Sequence, residues 1–321
     1  MKKVIYLFLS LIIMFPIFHV AAAPEQGAGL TISPPISEIK LDPGKSYQET
    51  IRINNPTKDL VTVYPVARNF TSSGETGRPA IESPGEDATF GLASWISFSQ
   101  TQIALTPEQE IEFNYKIDVP TDAEPGGHYA SVLFASQPPK PDEKSTQVAL
   151  ASMVGSLILG TVSGNIIEKG EVTEFSSNGH IFLKSPVDFT LRIRNTGNVH
   201  FSPQGQITVS SWGKTVSNED INPAKGNILP NSIRRFDGLG YKGKWYSFGK
   251  FNVKLTASYG ENQSLTGSFS FWIIPWWLIS IIVILIALII FYIVKNRKKN
   301  KPSPRHVLPQ KPPQKKKIIL Q

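Results

Sequence analysis

GGHYASVLFA (Gly126–Ala135) and FGKFNVKLTA (Phe248–Ala257) carry one rhythm: a glycine, an aromatic two positions on, then apolar residues at alternate places. Tyr129, Ser131, Leu133 and Ala135 line up with Phe251, Val253, Leu255 and Ala257 at a constant offset of 122. A second phrase recurs ahead of the first. TIRINNP (Thr50–Pro56) matches TLRIRNT (Thr190–Thr196) at an offset of 140, keeping Thr, an apolar residue, Arg, Ile and Asn55 or Asn195. Leu105-Thr106-Pro107 is loosely echoed by Leu229-Pro230. Three phrases in one order predict two copies of one domain. The shorter later offset requires extra residues in the first copy. Thr71–Gly91, rich in Gly, Ser, Pro and acid, is the expected insertion and reads as a surface loop.

The fold class follows from the period. Ile111, Phe113, Tyr115, Ile117 and Val119 alternate with Glu112, Asn114, Lys116 and Asp118, the pattern of a strand with one face buried. Ile51 and Ile53 around Arg52, and Leu191 and Ile193 around Arg192, repeat it. Turn dipeptides separate the strands, and no helical period of ten residues interrupts them. The chain is predicted to be all-β, with two tandem immunoglobulin-like sandwiches at 28–166 and 167–271. The Pro-rich Gln137–Gln147 resembles a linker. However, the apolar Val148–Val162 after it needs a sheet to join, so the segment is assigned to the loop between the last two strands of the first domain. Tyr129 opens a penultimate strand, where its hydroxyl would either reach a nearby backbone group, as in a tyrosine corner, or simply pack.

The termini place the protein. Lys2 and Lys3 precede an apolar run ending in Ala21-Ala22-Ala23, a secretory signal expected over 1–23. From Trp276 to Val294 no residue is charged, and this 19-residue run spans, at about 1.5 Å per residue, roughly the 30 Å hydrocarbon layer. A single transmembrane helix is expected over 272–294. Trp272, Trp276 and Trp277 lie at its outer end, and a basic cytoplasmic tail follows over 295–321. Of 33 basic residues, 2 lie in the leader and 10 from Lys295 onward; the remaining 21 face all 25 acids, so the exported part is net negative. The overall +8 therefore reflects membrane orientation, and nucleic acid is not an expected partner. No cysteine is present, which excludes disulfides and thiolate chemistry.

Catalytic, metal and cofactor sites are not expected. His128, His180 and His200 are widely separated, and His128 and His200 beside glycine turns read as exposed turn residues. Glu108, Glu110 and Glu112 form one solvated strand face and do not flank a cleft. The candidate ligand-binding residues are Lys242, Lys244, Trp245 and Tyr246 in KGKWYSFGK (Lys242–Lys250), where rings and ammonium groups could hold a sugar or an anionic polymer. The competing reading puts some of those rings in the core, together with Trp95 and Trp212.

A Pro43-Gly44 turn, an alternating strand ending in an asparagine turn, and a G-x-Y strand (Gly127 to Tyr129) before a long loop resemble the first domain of WxL-interacting proteins. That resemblance implies a Gram-positive surface protein whose first domain binds peptidoglycan and whose second binds another protein. The phrase RNTGNVHF (Arg194–Phe201) in the second copy departs from the family pattern. The first sandwich also resembles the N-terminal domain of periplasmic pilus chaperones. The expected function is membrane-anchored adhesion to a cell-wall glycan or surface protein. The alternative is a chaperone-like assembly factor that lends a strand edge to exported subunits.

Overall fold

The computed structural model describes residues 29–83, 89–138 and 153–299. The expected signal at 1–23, most of the Pro-rich segment and the tail beyond Lys299 lie outside those residues.

The first sandwich holds β1 (Thr31–Ser33), β2 (Ile36–Leu41), β3 (Ser46–Asn54), β4 (Val61–Ser73) and β5 (Arg78–Ile81). It continues with β6 (Ile96–Phe98), β7 (Ile103–Leu105), β8 (Glu110–Asp118), β9 (Gly126–Ala135) and β10 (Met153–Val162). One sheet has the order β1-β3-β8-β6; the other has β2-β10-β9-β4-β5, with β7 also on β4. The alternating residues of β3 and β8 supply the core as their period requires: Ile51, Ile53, Phe113, Tyr115 and Ile117 are buried against Val132, Phe134 and Ile158.

The second sandwich holds β11 (Gly170–Ser177), β12 (Ile181–Phe182), β13 (Val187–Asn195), β14 (Gln204–Ser211) and β15 (Lys214–Asp220). It ends with β16 (Ile233–Phe236), β17 (Gly240–Tyr241), β18 (Gly249–Tyr259) and β19 (Gln263–Ile273). Its sheets are β11-β13-β16, with β17 on β13, and β12-β19-β18-β14-β15. β18 buries every second residue without exception, from Phe251 to Tyr259. The sequence thus builds two immunoglobulin-type sandwiches. Trp272 and Ile273 end β19, paired with Lys250 and Gly249 of β18, and the apolar helix α1 runs from Trp276 to Lys299. It is the one described helix long and apolar enough to cross a membrane.

The recurring asparagine explains the repeat. Asn55 and Asn195 are both fully buried at the ends of β3 and β13. Asn55 Nδ2 donates to the carbonyls of Asp59 (2.9 Å), Leu105 (3.1 Å) and Thr106 (3.0 Å), while its Oδ1 accepts the Thr57 N–H (3.1 Å). Asn195 Nδ2 donates to the carbonyls of Val199 (2.8 Å) and Ile228 (2.9 Å), and its Oδ1 accepts the Gly197 N–H (2.9 Å). One amide therefore closes its own turn and staples it to the strand entry across the sandwich. No apolar residue of similar size could satisfy those groups.

Two local readings change. Thr71–Gly91 is not simply a surface loop: Thr71–Ser73 extend β4, and Arg78–Ile81 fold back on it as β5. Its Ser, Thr and Gly content hides strand character that comes from ladder pairing and from contacts with the second domain. The offset-122 alignment also fails to match the core-facing phases of β9 and β18. Ala130, Val132 and Phe134 enter the first core, whereas Tyr129 and Ser131 lie on the opposite face. Alternation misleads here because every residue of β9 is buried, so both phases look apolar.

Replacing Asn195 by Ala strands the Val199 carbonyl and the Gly197 amide, removes one of two donors to Ile228 O, and should cost roughly 1–3 kcal/mol in a urea unfolding curve. Asn55→Ala should cost a similar amount, and the two losses should add because the sites lie in separate cores.

Candidate functional site

The two sandwiches meet through the outer face of β9. Tyr129 is almost fully buried and makes a small cluster with Phe70 and Leu159, bordered by Leu229 of the second domain. Its ring folds back over Gly127, where a Cβ would come within 1.9 Å of the hydroxyl, so that position admits only glycine. The hydroxyl does reach a backbone group, but in the other domain: it accepts the His200 N–H at 3.0 Å. It also lies 3.2 Å from His200 Nδ1, within reach to donate its proton when that nitrogen is bare.

The chemistry of this pair is set by burial. Desolvation holds the Tyr129 hydroxyl above its ordinary range, against the pull of the His200 amide. Desolvation holds His200 below its ordinary value, while the charge of Glu38 acts in the opposite direction. A neutral ring with a bare Nδ1 is the form that accepts the Tyr129 proton. Glu38 is itself engaged by Asn227 Nδ2 of the second domain at 2.8 Å.

Asn198, in the RNTGNVHF phrase, forms the second half of the joint. Its carbonyl accepts the Gly127 N–H (2.7 Å), and its Nδ2 donates to Pro125 O (3.1 Å) and Asn165 O (2.9 Å). Its Oδ1 accepts the Ile167 N–H (2.7 Å), so the connecting segment is fastened on the same side chain. The β4–β5 hairpin supplies a third contact. Glu75 pairs with Arg192 Nε at 2.7 Å, Glu174 closes on the same guanidinium, and the Glu75 carbonyl accepts the Arg235 N–H at 2.8 Å. A cavity of about 390 Å³ beside this joint is lined by Phe70, Phe90, Tyr129, Leu229 and Pro230, among others.

His128 and His200 are therefore not exposed turn residues. His128 is buried, with Nδ1 3.2 Å from Gly91 O, Nε2 2.9 Å from Glu124 O, and its ring against Trp95 at 4.6 Å. No group of metal-ligating side chains forms among the described residues.

A second feature lies on β10. β2 runs parallel to it from Leu157 opposite Ile36 to Val162 opposite Leu41. Before that, Pro34 and Pro35 have no N–H to offer a ladder, and β1 turns away to pair with β3. The Leu157 N–H donates to Pro35 O at 3.0 Å. By alternation, the N–H and C=O of Met153 and Gly155 point to the same side, where no described strand pairs with them. Gly155 lets β10 approach β9 closely, since a Cβ there would lie 2.1 Å from Val132 O. Ser156 is fully buried, and its Oγ meets no partner among the described residues.

Three other sheet edges, those of β5, β15 and β16, are blunted. β5 contains Pro79, β15 carries Lys214, Glu219 and Asp220, and the Arg235 amide of β16 is already taken by Glu75. Met153–Val162 carries no charge at all.

Lys242, Lys244, Trp245 and Tyr246 come together in the loop between β17 and β18, far from the joint and beside the start of α1. The rings do not fill the core. Trp245 is 80% exposed, Trp212 is 76% exposed, and only Trp95 is partly buried against the first core.

No family model matches the chain, which leaves the WxL-interacting-protein resemblance without a match, and no curated protein matches it either. Solved structures do. The class 5 fimbriae chaperone CfaA is 16% identical, with a TM-score of 0.38, covering 77% of this chain and 99% of that one. The YadV chaperone is 12% identical, with a TM-score of 0.36, covering 75% and 99%. The CsuC–CsuE chaperone–tip adhesion subunit complex of Acinetobacter baumannii gives 12% identity and a TM-score of 0.34, covering 64% and 89%. The likeness to these chaperones goes no further than the arrangement of strands.

Tyr129→Phe orphans the His200 amide and should lower stability by roughly 1–3 kcal/mol in denaturant unfolding. Because His200 is held below its unfolded value, its contribution is complete above about pH 6.5 and is lost as pH falls toward the lowered folded value. Melting temperatures measured between neutral and mildly acidic pH should show this loss, and His200→Gln should flatten it.

Proposed function

We propose that this protein is a membrane-anchored factor for the assembly of exported surface proteins, holding a client by adding the free stretch of β10 to the client's incomplete sheet. One observation carries the reading. Met153–Ser156 is an uncharged strand end whose outward backbone groups have no ladder among the described residues, whereas the β5, β15 and β16 edges are blunted. A strand donor needs this combination: main-chain groups supply affinity, and alternate side chains supply selectivity.

The remaining parts fit that role. The leader would export the chain, α1 would anchor it, and the basic residues after Val294 would keep the tail inside. Both sandwiches would then stand on the outer side, where exported subunits emerge. Adhesion to peptidoglycan rests on architecture alone and yields first place to the strand edge, which is a specific feature.

A photo-crosslinking amino acid at Met153, in the full-length chain in its own cells, should capture a β-rich exported protein. The same group at Thr161, which β2 covers, should not. Met153→Pro should reduce the captured protein several-fold and lower its level in the envelope. Equal capture from both positions, or no effect of the proline, would count against the assignment.

A further inference from the structure

Four segments converge where α1 leaves the second sandwich: 178–186, 211–216, 241–250 and 272–275. They are tied to one another. The Trp272 N–H donates to His180 O (2.8 Å), the Ile274 N–H to Phe182 O (2.8 Å), and Ser185 Oγ to Gly243 O (2.8 Å). Trp212 and Phe248 lie with ring centroids 6.3 Å apart. None of the four contains Asp or Glu, yet together they hold Lys184, Lys214, Lys242, Lys244 and Lys250. An exported portion with more acid than base has gathered five lysines in these four segments, with Asp188 just beyond them, opposite Gly240.

The apolar side chains at that end are unusual in their placement. Trp212 occupies the two-residue turn between β14 and β15 with φ of 51°, followed by Gly213 at 75°. A hairpin turn of that hand favours Asn, Asp or Gly, and a tryptophan there gains nothing from the core. Tyr246 and Phe248 are each 48% exposed, and Ile181 and Leu183 are exposed on the neighbouring segment. Lys244 Nζ lies 5.7 Å over the Tyr246 ring.

The tether decides what faces this surface. Only Ile274 and Pro275 separate β19 from α1, and two residues reach at most about 7 Å. Trp277 Nε1 donates to Trp245 O at 3.4 Å, and the two rings lie 6.2 Å apart, so the loop is held against the first turn of the helix. If α1 crosses a bilayer, this end of the sandwich is pressed onto its surface.

We infer that this end is a membrane-seating collar. Trp212, Trp245, Tyr246 and Phe248 enter the headgroup layer, and the surrounding lysines bind anionic phospholipid headgroups. Amphipathic rings favour that depth, and lysine stems reach past the rings to the phosphates. Lys242, Lys244, Trp245 and Tyr246 then serve as lipid contacts and not as a sugar or cell-wall polymer site. The inference rests on the anchor reading given above and adds a fixed orientation: the sandwiches stand on the membrane and do not swing from it.

The absence of native cysteine permits a direct test with the full-length chain. Tyr246→Cys and Asn262→Cys each carry a fluorescent label; Asn262 lies in the turn at the other end of β18, about 35 Å away. The chain is reconstituted in vesicles of phosphatidylcholine with phosphatidylglycerol and, separately, in phosphatidylcholine alone. The label at 246 should be quenched by brominated lipid and be about threefold less accessible to acrylamide than the label at 262 in the anionic vesicles. Lys214, Lys242, Lys244 and Lys250 changed together to Gln should remove the difference between the two lipids. Equal acrylamide access at both positions in vesicles that float with bound protein overturns the collar and leaves the anchor intact. Failure to float overturns the anchor and the collar with it. Equal seating in both lipids overturns the role of the lysines. A response of the label to soluble polyphosphate in detergent, without one to vesicles, assigns the loop to a polymer instead.

Discussion

The strand Gly126–Ala135 is buried on both faces, and that double burial organises the molecule. One face, through Ala130, Val132 and Phe134, closes the first core; the other, through Tyr129, receives the second domain. Tyr129 cannot leave its place without uncovering the His200 amide, and Gly127 cannot carry a side chain without displacing the Tyr129 ring. A buried hydroxyl between two domains is costly unless its partners are fixed. Here they are fixed by Asn198 and His200 on one tight turn. The relative orientation of the sandwiches is thus written into a handful of hydrogen bonds, with the Glu75–Arg192 pair at the outer rim adding direction more than energy.

Much of this was legible in the sequence. Strands β3, β8, β13 and β18 were readable because each has one buried and one wet face, so side-chain polarity reports the pleat directly. The two-copy architecture was readable because Asn55 and Asn195 perform a task no other side chain can, and their flanking strands come with them. The apolar run of α1 was readable from length alone.

The misreadings share a cause. Sequence polarity reports on solvent, and most of the failures lie where protein takes the place of solvent. Tyr129 aligns in sequence with the core residue Phe251 because domain contact buries the face of β9 that would otherwise be polar. His128 and His200 beside glycines suggested exposed turns, whereas backbone carbonyls and the Tyr129 hydroxyl enclose them. The β4–β5 hairpin looked like a loop because its partners are on the second sandwich. Trp212 suggests core in the sequence because tryptophan outside is rare, whereas Trp245 reads as core or ligand contact; both are exposed at the end where the helix begins. The phrase RNTGNVHF held the missed signal: two asparagines and a histidine in one short turn are more polar groups than a lone domain would need.

A rigid two-domain body would give both proposed surfaces their meaning, since a strand edge and a basic collar on one frame would keep a fixed relation to a membrane that α1 crossed. The central claim is that the Tyr129–His200 joint makes the two sandwiches one body. Spin labels on Lys58→Cys in the first domain and Asn262→Cys in the second, in the otherwise cysteine-free full-length chain, report the distance between them by double electron–electron resonance. The account predicts a single narrow distribution that broadens on Tyr129→Phe. A broad distribution in the unaltered chain would contradict it.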